Sequence, residues 1–155
     1  MVLTEVLIIY SSIHHQNTEK IAIAMGEVLN AKTVKTTDVK PEDLSKFDLI
    51  GFGSGIYAMR ADDGLLHLIE NLPQMTGKKA FVFTTSGMGI AFSGSLAKTL
   101  RKKEFDVIGK FDCRGFVDWG PFRLVRGVNK GKPDDSDIAM AKEFAKELIR
   151  KFTKP

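Results

Sequence analysis

The stretch Tyr10-Ser11-Ser12-Ile13-His14-His15-Gln16-Asn17-Thr18 gathers hydroxyls, imidazoles and amides near the start of the chain. A helix start exposes backbone N–H groups that have no partner within the helix, and its dipole is positive there. Donor-rich side chains at such an end form a seat for a phosphate or another anion. Capping is the competing account, since Ser, Asn and Thr commonly terminate helices at this end. One residue suffices for a cap. Here Ser11, Ser12, Asn17 and Thr18 stand together with His14 and His15, and that excess favours anion binding.

Two further stretches have the character of ligand-contacting loops. Gly53-Ser54-Gly55-Ile56-Tyr57 is rich in glycine, and Thr84-Thr85-Ser86-Gly87-Met88-Gly89 combines hydroxyls with glycine. Glycine lets the backbone approach until its N–H and C=O groups reach the edge of a ring. Tyr57 offers an aromatic face for stacking on that ring; the alternative is a core tyrosine at the head of the next helix.

The elements that must position these residues follow from hydrophobic period. Val6-Leu7-Ile8-Ile9-Tyr10 reads as a fully buried strand. From Glu19 the period becomes helical, with Ile21, Ala22, Ala24, Met25, Val28 and Leu29 on one side. A short strand around Val34, a polar connection broken by Pro41, and a third strand over residues 47–52 come next. Leu65, Leu66, Leu68, Ile69 and Leu72 make the inward stripe of a helix that Pro73 stops. The fourth strand covers residues 79–85, and Phe92, Leu96, Ala97 and Leu100 face inward from the following helix. Residues 106–113 form a less apolar fifth strand, placed near an edge. A long connection, 114–132, leads to a final helix over 134–152 with acids at its start and bases at its end.

Doubly apolar strands alternating with amphipathic helices specify an α/β fold: a doubly wound, five-stranded parallel sheet covered on both faces. At 155 residues the chain fits a single domain spanning 1–155. Every strand-to-helix loop of such a sheet leaves at its carboxyl edge. The three stretches therefore converge there and outline a cleft for a flat ligand with a phosphate tail.

Other chemistries fail on particular residues. The first loop lacks the glycine fingerprint of a dinucleotide fold, and no Gly-Lys-Ser/Thr closes a triphosphate loop. A phospho-acceptor domain needs an aspartate ending the third strand, whereas Asp48 begins it. Gly53-Ser54-Gly55 lacks the spacing of a hydrolase elbow. Adjacent His14 and His15 are awkward for one ion and His67 faces outward on a helix, so no metal site is expected. Cys113 reads as a small hydrophobe ending a strand, and no general acid or base stands out, so no catalytic residue is assigned.

Composition narrows the partners. With 43% hydrophobic and 27% charged residues the chain is of ordinary globular type. No apolar run reaches the roughly 18 residues of a membrane span. Neither a signal peptide nor a lipidation signal is evident, and one cysteine cannot make an internal disulfide, so a cytoplasmic location is expected. The net charge of +4 is dispersed, with lysines interleaved with glutamates, and offers no coherent stripe for nucleic acid.

Tyr10-Ser11-Ser12…Asn17-Thr18-Glu19-Lys20-Ile21-Ala22, with Gly53-Ser54-Gly55-Ile56-Tyr57 and Thr84-Thr85-Ser86-Gly87, resembles the flavodoxins over nearly the whole chain. The resemblance implies strand order 2-1-3-4-5 and flavin mononucleotide (FMN), held without a covalent bond, for transfer of one or two electrons. It assigns residues Ser11 to Thr18 to the phosphate, Gly53 to Tyr57 to one side of the flavin, and Thr84 to Gly89 to the other. Gln16 stands where the family usually has glycine, the phosphate loop is one residue longer, and no insertion interrupts the fifth strand, as in short-chain members. Electron carriers of the family are usually acidic, whereas this chain is basic, so a redox partner with an acidic docking surface is implied.

Alternatives are a small FMN-dependent oxidoreductase passing electrons from a nicotinamide to a quinone or other acceptor, and a flavin-free binding module. The long connection, with Phe116, Trp119, Phe122 and Arg123, is long enough to shape a substrate pocket or a dimer contact; the chain is expected as a monomer or weak homodimer. His14 or His15, when protonated, would strengthen phosphate binding toward acidic pH. Arg60, Arg123 or Arg126 near the ring would make its reduction less unfavourable.

Overall fold

The apolar runs become the middle of a parallel sheet because each is buried on both sides. The computed structural model describes residues 5–12, 16–87, 91–115 and 129–153. Its strands are β1 (Val6–Ser11), β2 (Lys32–Lys35), β3 (Leu49–Tyr57), β4 (Arg60–Ala61), β5 (Lys79–Ser86) and β6 (Asp106–Arg114). Five of them run parallel in the order β2-β1-β3-β5-β6, the order expected for the five long strands. The two-residue β4 was not foreseen; it pairs antiparallel with the end of β3.

The helices are α1 (Asn17–Leu29), α2 (Asp63–Glu70), α3 (Ser93–Arg101) and α4 (Asp135–Thr153). Successive side chains of a strand point to opposite faces, and this sorts the core in two. Val6, Ile8 and Tyr10 of β1 pack with Ile21 and Met25 of α1 and with Ala145 and Leu148 of α4. Leu7 and Ile9 pack on the other side with Leu65 and Ile69 of α2 and with Leu96 and Leu100 of α3. Each such large apolar side chain contributes about 1.5–3 kcal/mol when fully buried.

The central strand differs from the expectation. Gly53–Tyr57 is not a loop: β3 runs on to Tyr57, with Gly53, Ser54 and Gly55 paired to Phe83, Thr84 and Thr85. The reason lies in the spacing. Gly51, Gly53 and Gly55 alternate, so they form a stripe on the face toward α1 and α4. A Cβ at Gly51 or Gly53 would run into the ring of Phe81 or Phe83, and one at Gly55 into the Tyr57 hydroxyl. The Phe81 and Phe83 rings stack with centroids 6.1 Å apart, and Phe144 of α4 meets Phe81 at 63°.

Beyond Tyr57 the chain reverses through Ala58 (φ 50°) and Met59 (φ 69°). A two-residue hairpin of type I′ needs left-handed backbone at both positions; side chains other than glycine or asparagine adopt it at a cost. Strand β5 holds Thr84 and Thr85 as expected and runs one residue further, to Ser86. Helix α2 ends at Glu70, before Pro73, where the Asn71 N–H donates back to His67 O at 3.2 Å.

Strand β6 lies at the end of the order, as expected from its weaker apolar character. Its ladder with β5 slips by one residue at Ile108, whose carbonyl accepts from Lys151 Nζ at 3.2 Å. Before α4, Asp134 N donates to Asp137 Oδ2 at 2.9 Å and Asp137 N to Asp134 Oδ1 at 3.0 Å, a reciprocal cap. Lys132 Nζ reaches both carboxylates, at 2.9 and 3.1 Å.

Two outcomes follow. Gly53→Ala should destabilise the protein by about 1–3 kcal/mol in urea unfolding, the usual cost of overpacking a core. Combined with Phe83→Leu it should cost less than the sum of the single changes, because the two sites share one space. The Lys132 hydrogen bond holds the Asp134 carboxyl at about 2, below its ordinary 3.8. Its stabilising contribution is therefore complete above about pH 4 and is lost as pH falls toward 2. Melting temperatures of Lys132→Gln should accordingly vary less over that acid window than those of the parent chain.

Candidate functional site

The carboxyl ends of β1, β3, β5 and β6 meet the starts of the helices at one edge, and polar side chains tie them together. On the face toward α1, the Thr18 and Thr85 hydroxyls are buried and 2.9 Å apart. Gly115 follows β6 so closely against the Asn17 side chain that a Cβ there would collide with it. Its N–H donates to Ser86 O at 3.0 Å, which latches the exit of β6 to the end of β5. Asn129 Nδ2 donates to Gly87 O at 2.9 Å and fastens the same corner.

On the opposite face, Ser54 Oγ donates to Gly55 O at 2.5 Å and accepts from Asp62 N at 2.9 Å. Asp62 then caps α2 by accepting from Gly64 N and Leu65 N. The Asp112 carboxylate accepts from Thr84 Oγ1 at 2.6 Å, from Phe92 N at 3.0 Å and from Ser93 N at 2.9 Å. It also accepts from the Ser93 hydroxyl. Four hydroxyls proposed as ligand contacts (Thr18, Ser54, Thr84 and Thr85) thus hold the protein's own frame.

The first loop is different. Gln16, at φ 53° and ψ 32°, occupies the left-handed region, and among the described residues no side chain caps α1. Gln16 O accepts the first helical bond, from Lys20 N at 3.1 Å. Ser12 Oγ is buried without a hydrogen-bond partner among the described residues. A hydroxyl beside a helix end that lacks a side-chain cap suits a phosphate, whose oxygens accept from O–H and N–H alike. Glu19 is the one acid in the first turn of α1. Burial, reinforced by the charge and hydrogen bond of Glu19, raises the Tyr10 phenol above its ordinary value, so Tyr10 keeps its proton and engages that acid.

Of the residues expected at the site, Ser11 ends β1, and Ser12, Gln16, Asn17 and Thr18 surround the start of α1. Ser11, Ser54 and Thr84 are neighbours across the ladder, as are Gly55 and Thr85. Ile56 and Tyr57 are half-buried at the end of β3, with Tyr57 folded back over Gly55. Gly87 directly follows β5. Arg60 pairs on the surface with Asp63 at 3.0 Å. Ile13, His14, His15, Met88 and Gly89 lie outside the described residues, as do Phe116, Trp119, Phe122, Arg123 and Arg126.

Asp112 went unnoticed in the sequence. The available signal was an acid just inside the end of an otherwise semi-apolar strand. Burial, reinforced by Asp137 and Asp112, pushes the Cys113 thiol up to about 12, so it stays protonated at neutral pH. It lines a cavity of about 300 Å³ with Phe111, Arg114, Lys132 and Met140. Among the described residues no cluster of His, Cys, Asp and Glu side chains is placed to hold a metal ion, and no helix is long and apolar enough to cross a membrane.

Comparison with known proteins adds to this geometry. Residues 7–111 match the family model described as Flavodoxin domain. An uncharacterised protein of Methanocaldococcus jannaschii is 41% identical over 147 residues, spanning 93% of this chain and 97% of that protein. Among solved structures, a flavodoxin from the domain Archaea superposes with a TM-score of 0.73 at 18% identity, over 97% of this chain and 100% of that one. Flavodoxin 2 of Bacillus cereus gives 0.74 at 18% identity, over 96% and 99%. Rubredoxin oxygen:oxidoreductase of Desulfovibrio gigas gives 0.77 at 17% identity, over 96% of this chain and 36% of that longer one.

The left-handed backbone of Gln16 yields a direct test. Glycine adopts that conformation without the steric cost other residues bear, so Gln16→Gly should leave the protein as stable as before or up to about 1 kcal/mol more stable. Loss of more than that in chemical unfolding would mean the Gln16 side chain makes a contact of its own.

Proposed function

The chain belongs to the flavodoxin family, and from that premise we propose that it binds FMN non-covalently and passes one or two electrons between redox partners. The observation that carries the reading is the buried Ser12 hydroxyl, with no partner among the described residues, beside the start of α1. Bound there, FMN supplies a ring that accepts and releases electrons.

The protein's part is to hold and surround that group. Ser12 and the N–H groups at the start of α1 would take the phosphate. Asn17 and Thr18 are buried and anchored, so those donors are fixed in place before the ligand arrives. Donors already oriented cost little to organise on binding. The ends of β3 and β5 would border the ring, where Tyr57 adds aromatic surface. No side chain need act as acid or base in such a transfer. The net charge of +4 supports a partner whose docking surface is acidic, because opposite charge steers encounter. The single free cysteine supports a reducing, cytoplasmic setting.

One observation favours the oxidoreductase reading as a second possibility. A cavity of about 200 Å³ lies between the β3–β4 hairpin and α3, lined by Ile56, Met59, Phe92 and Leu96 together with the polar Arg60, Ser95 and Thr99. A space of mixed lining beside the end of β3 suits a second substrate such as a quinone or nicotinamide ring, which pairs an apolar face with polar edges.

Titration of the purified protein with FMN should develop a bound-flavin absorption spectrum and quench flavin fluorescence. Ser12→Ala should weaken FMN about tenfold, the loss of one hydrogen bond to a charged group, and leave riboflavin, which has no phosphate, unaffected. Absence of FMN binding by the parent chain would overturn the reading. Anaerobic turnover of reduced nicotinamide with a quinone would favour the oxidoreductase over the carrier.

A further inference from the structure

We infer that Asp112 is the positioning residue for two borders of the flavin site, the end of β5 and the start of α3. The inference rests on the FMN reading above. Asp112 belongs to β6 and to none of the three stretches that border the site, yet its carboxylate grips both the end of β5 and the start of α3. On one side Thr84 Oγ1, near the end of β5, donates to it at 2.6 Å. On the other the backbone N–H groups of Phe92 and Ser93 donate at 3.0 and 2.9 Å, joined by the Ser93 hydroxyl. One carboxylate therefore sets where β5 ends relative to the start of α3.

Several facts make this grip strong. The residue at the start of α3, Phe92, offers no side-chain cap, so Asp112 supplies the missing acceptor from another strand. Hydrogen bonds to a carboxylate are shorter and about twice as strong as neutral ones, and the positive end of the α3 dipole adds to them. Thr84 and Ser93 are almost fully buried, so no water replaces a lost acceptor. The other acidic caps act locally: Asp62 on α2, and Asp134 and Asp137 on each other. Asp112 joins β5, β6 and α3.

The grip also reaches the phosphate end. Thr84 and Thr85 point to opposite faces of β5, Thr84 to Asp112 and Thr85 to Thr18 at the start of α1. A shift of β5's end toward or away from α3 is therefore felt at the phosphate seat as well. Asp112 acts through Thr84, Ser93 and the backbone rather than by touching the ligand.

The test uses the full chain loaded with FMN. Three of the four bonds end on one carboxylate oxygen, Oδ1, which Asn would keep, so Asp112→Ala is used; it removes both acceptor oxygens and the charge. It should fold, as far-UV circular dichroism will read, bind FMN about tenfold more weakly, and change the visible circular dichroism of the bound flavin. Asp134→Asn, which weakens the cap of α4, should lower the melting temperature but keep the parent FMN affinity and visible spectrum. Parent-like affinity and visible spectrum in Asp112→Ala would overturn the inference while leaving the FMN reading intact. Failure of the parent chain to bind FMN would overturn both. Should Asp112→Ala not fold, Ser93→Ala, which removes one donor, decides: weakened FMN with an altered visible spectrum supports the grip, and parent values of both reject it.

Discussion

Phe81 and Phe83 fit beneath α1 and α4 only because the neighbouring strand presents no side chains to them. Gly51 and Gly53 leave that space, and the two rings fill it. Protein interiors are packed to crystal-like density, so a void on one strand has to be matched by bulk on its neighbour. The matched pair fixes the register of β3 against β5 on the side that carries both long terminal helices. It also settles how closely α1 approaches the sheet, and therefore where the start of α1 stands relative to the strand ends. The geometry of the site is inherited from the packing of two rings several residues below it.

At the carboxyl edge the governing constraint changes from volume to hydrogen bonding. Thr18, Ser54, Thr84 and Thr85 are buried where water cannot serve them, so each is bonded within the protein. These bonds join strands to helices and fix the frame. Among the described residues, the Ser12 hydroxyl is buried beside the start of α1 without such a bond. In the proposed reading, the bonded hydroxyls hold the walls and Ser12 meets the guest.

The fold was legible because hydrophobic period carries it. The five long strands, their alternation with helices and the marginal place of β6 all follow from which residues avoid water. The extent of β3 was not legible in the same way. Glycine weakens strands in general, so Gly53-Ser54-Gly55 looked like the start of a loop, although glycine at every second position is what a one-sided stripe requires. The hairpin at Ala58–Met59 escaped notice because neither residue is a customary turn former, and tertiary structure imposes the left-handed backbone there. Gln16 was visible as a departure from the family pattern, but only the structure gives it the backbone conformation of a glycine. Asp112 escaped for another reason: its partners are 19 to 28 residues away along the chain, and no local pattern announces them.

The treatment of β6 reaches beyond ligand binding. A strand at the margin of a sheet is an open template on which another chain can add itself, and from such addition fibres grow. Here the ladder is interrupted at Ile108 and the freed carbonyl is taken by Lys151 from the last helix. A newcomer would meet a broken hydrogen-bond rhythm and a fixed positive charge instead of a continuous row of acceptors. This interruption belongs to the fold itself, so it stands at the sheet's margin whether or not the cleft at the carboxyl edge is filled.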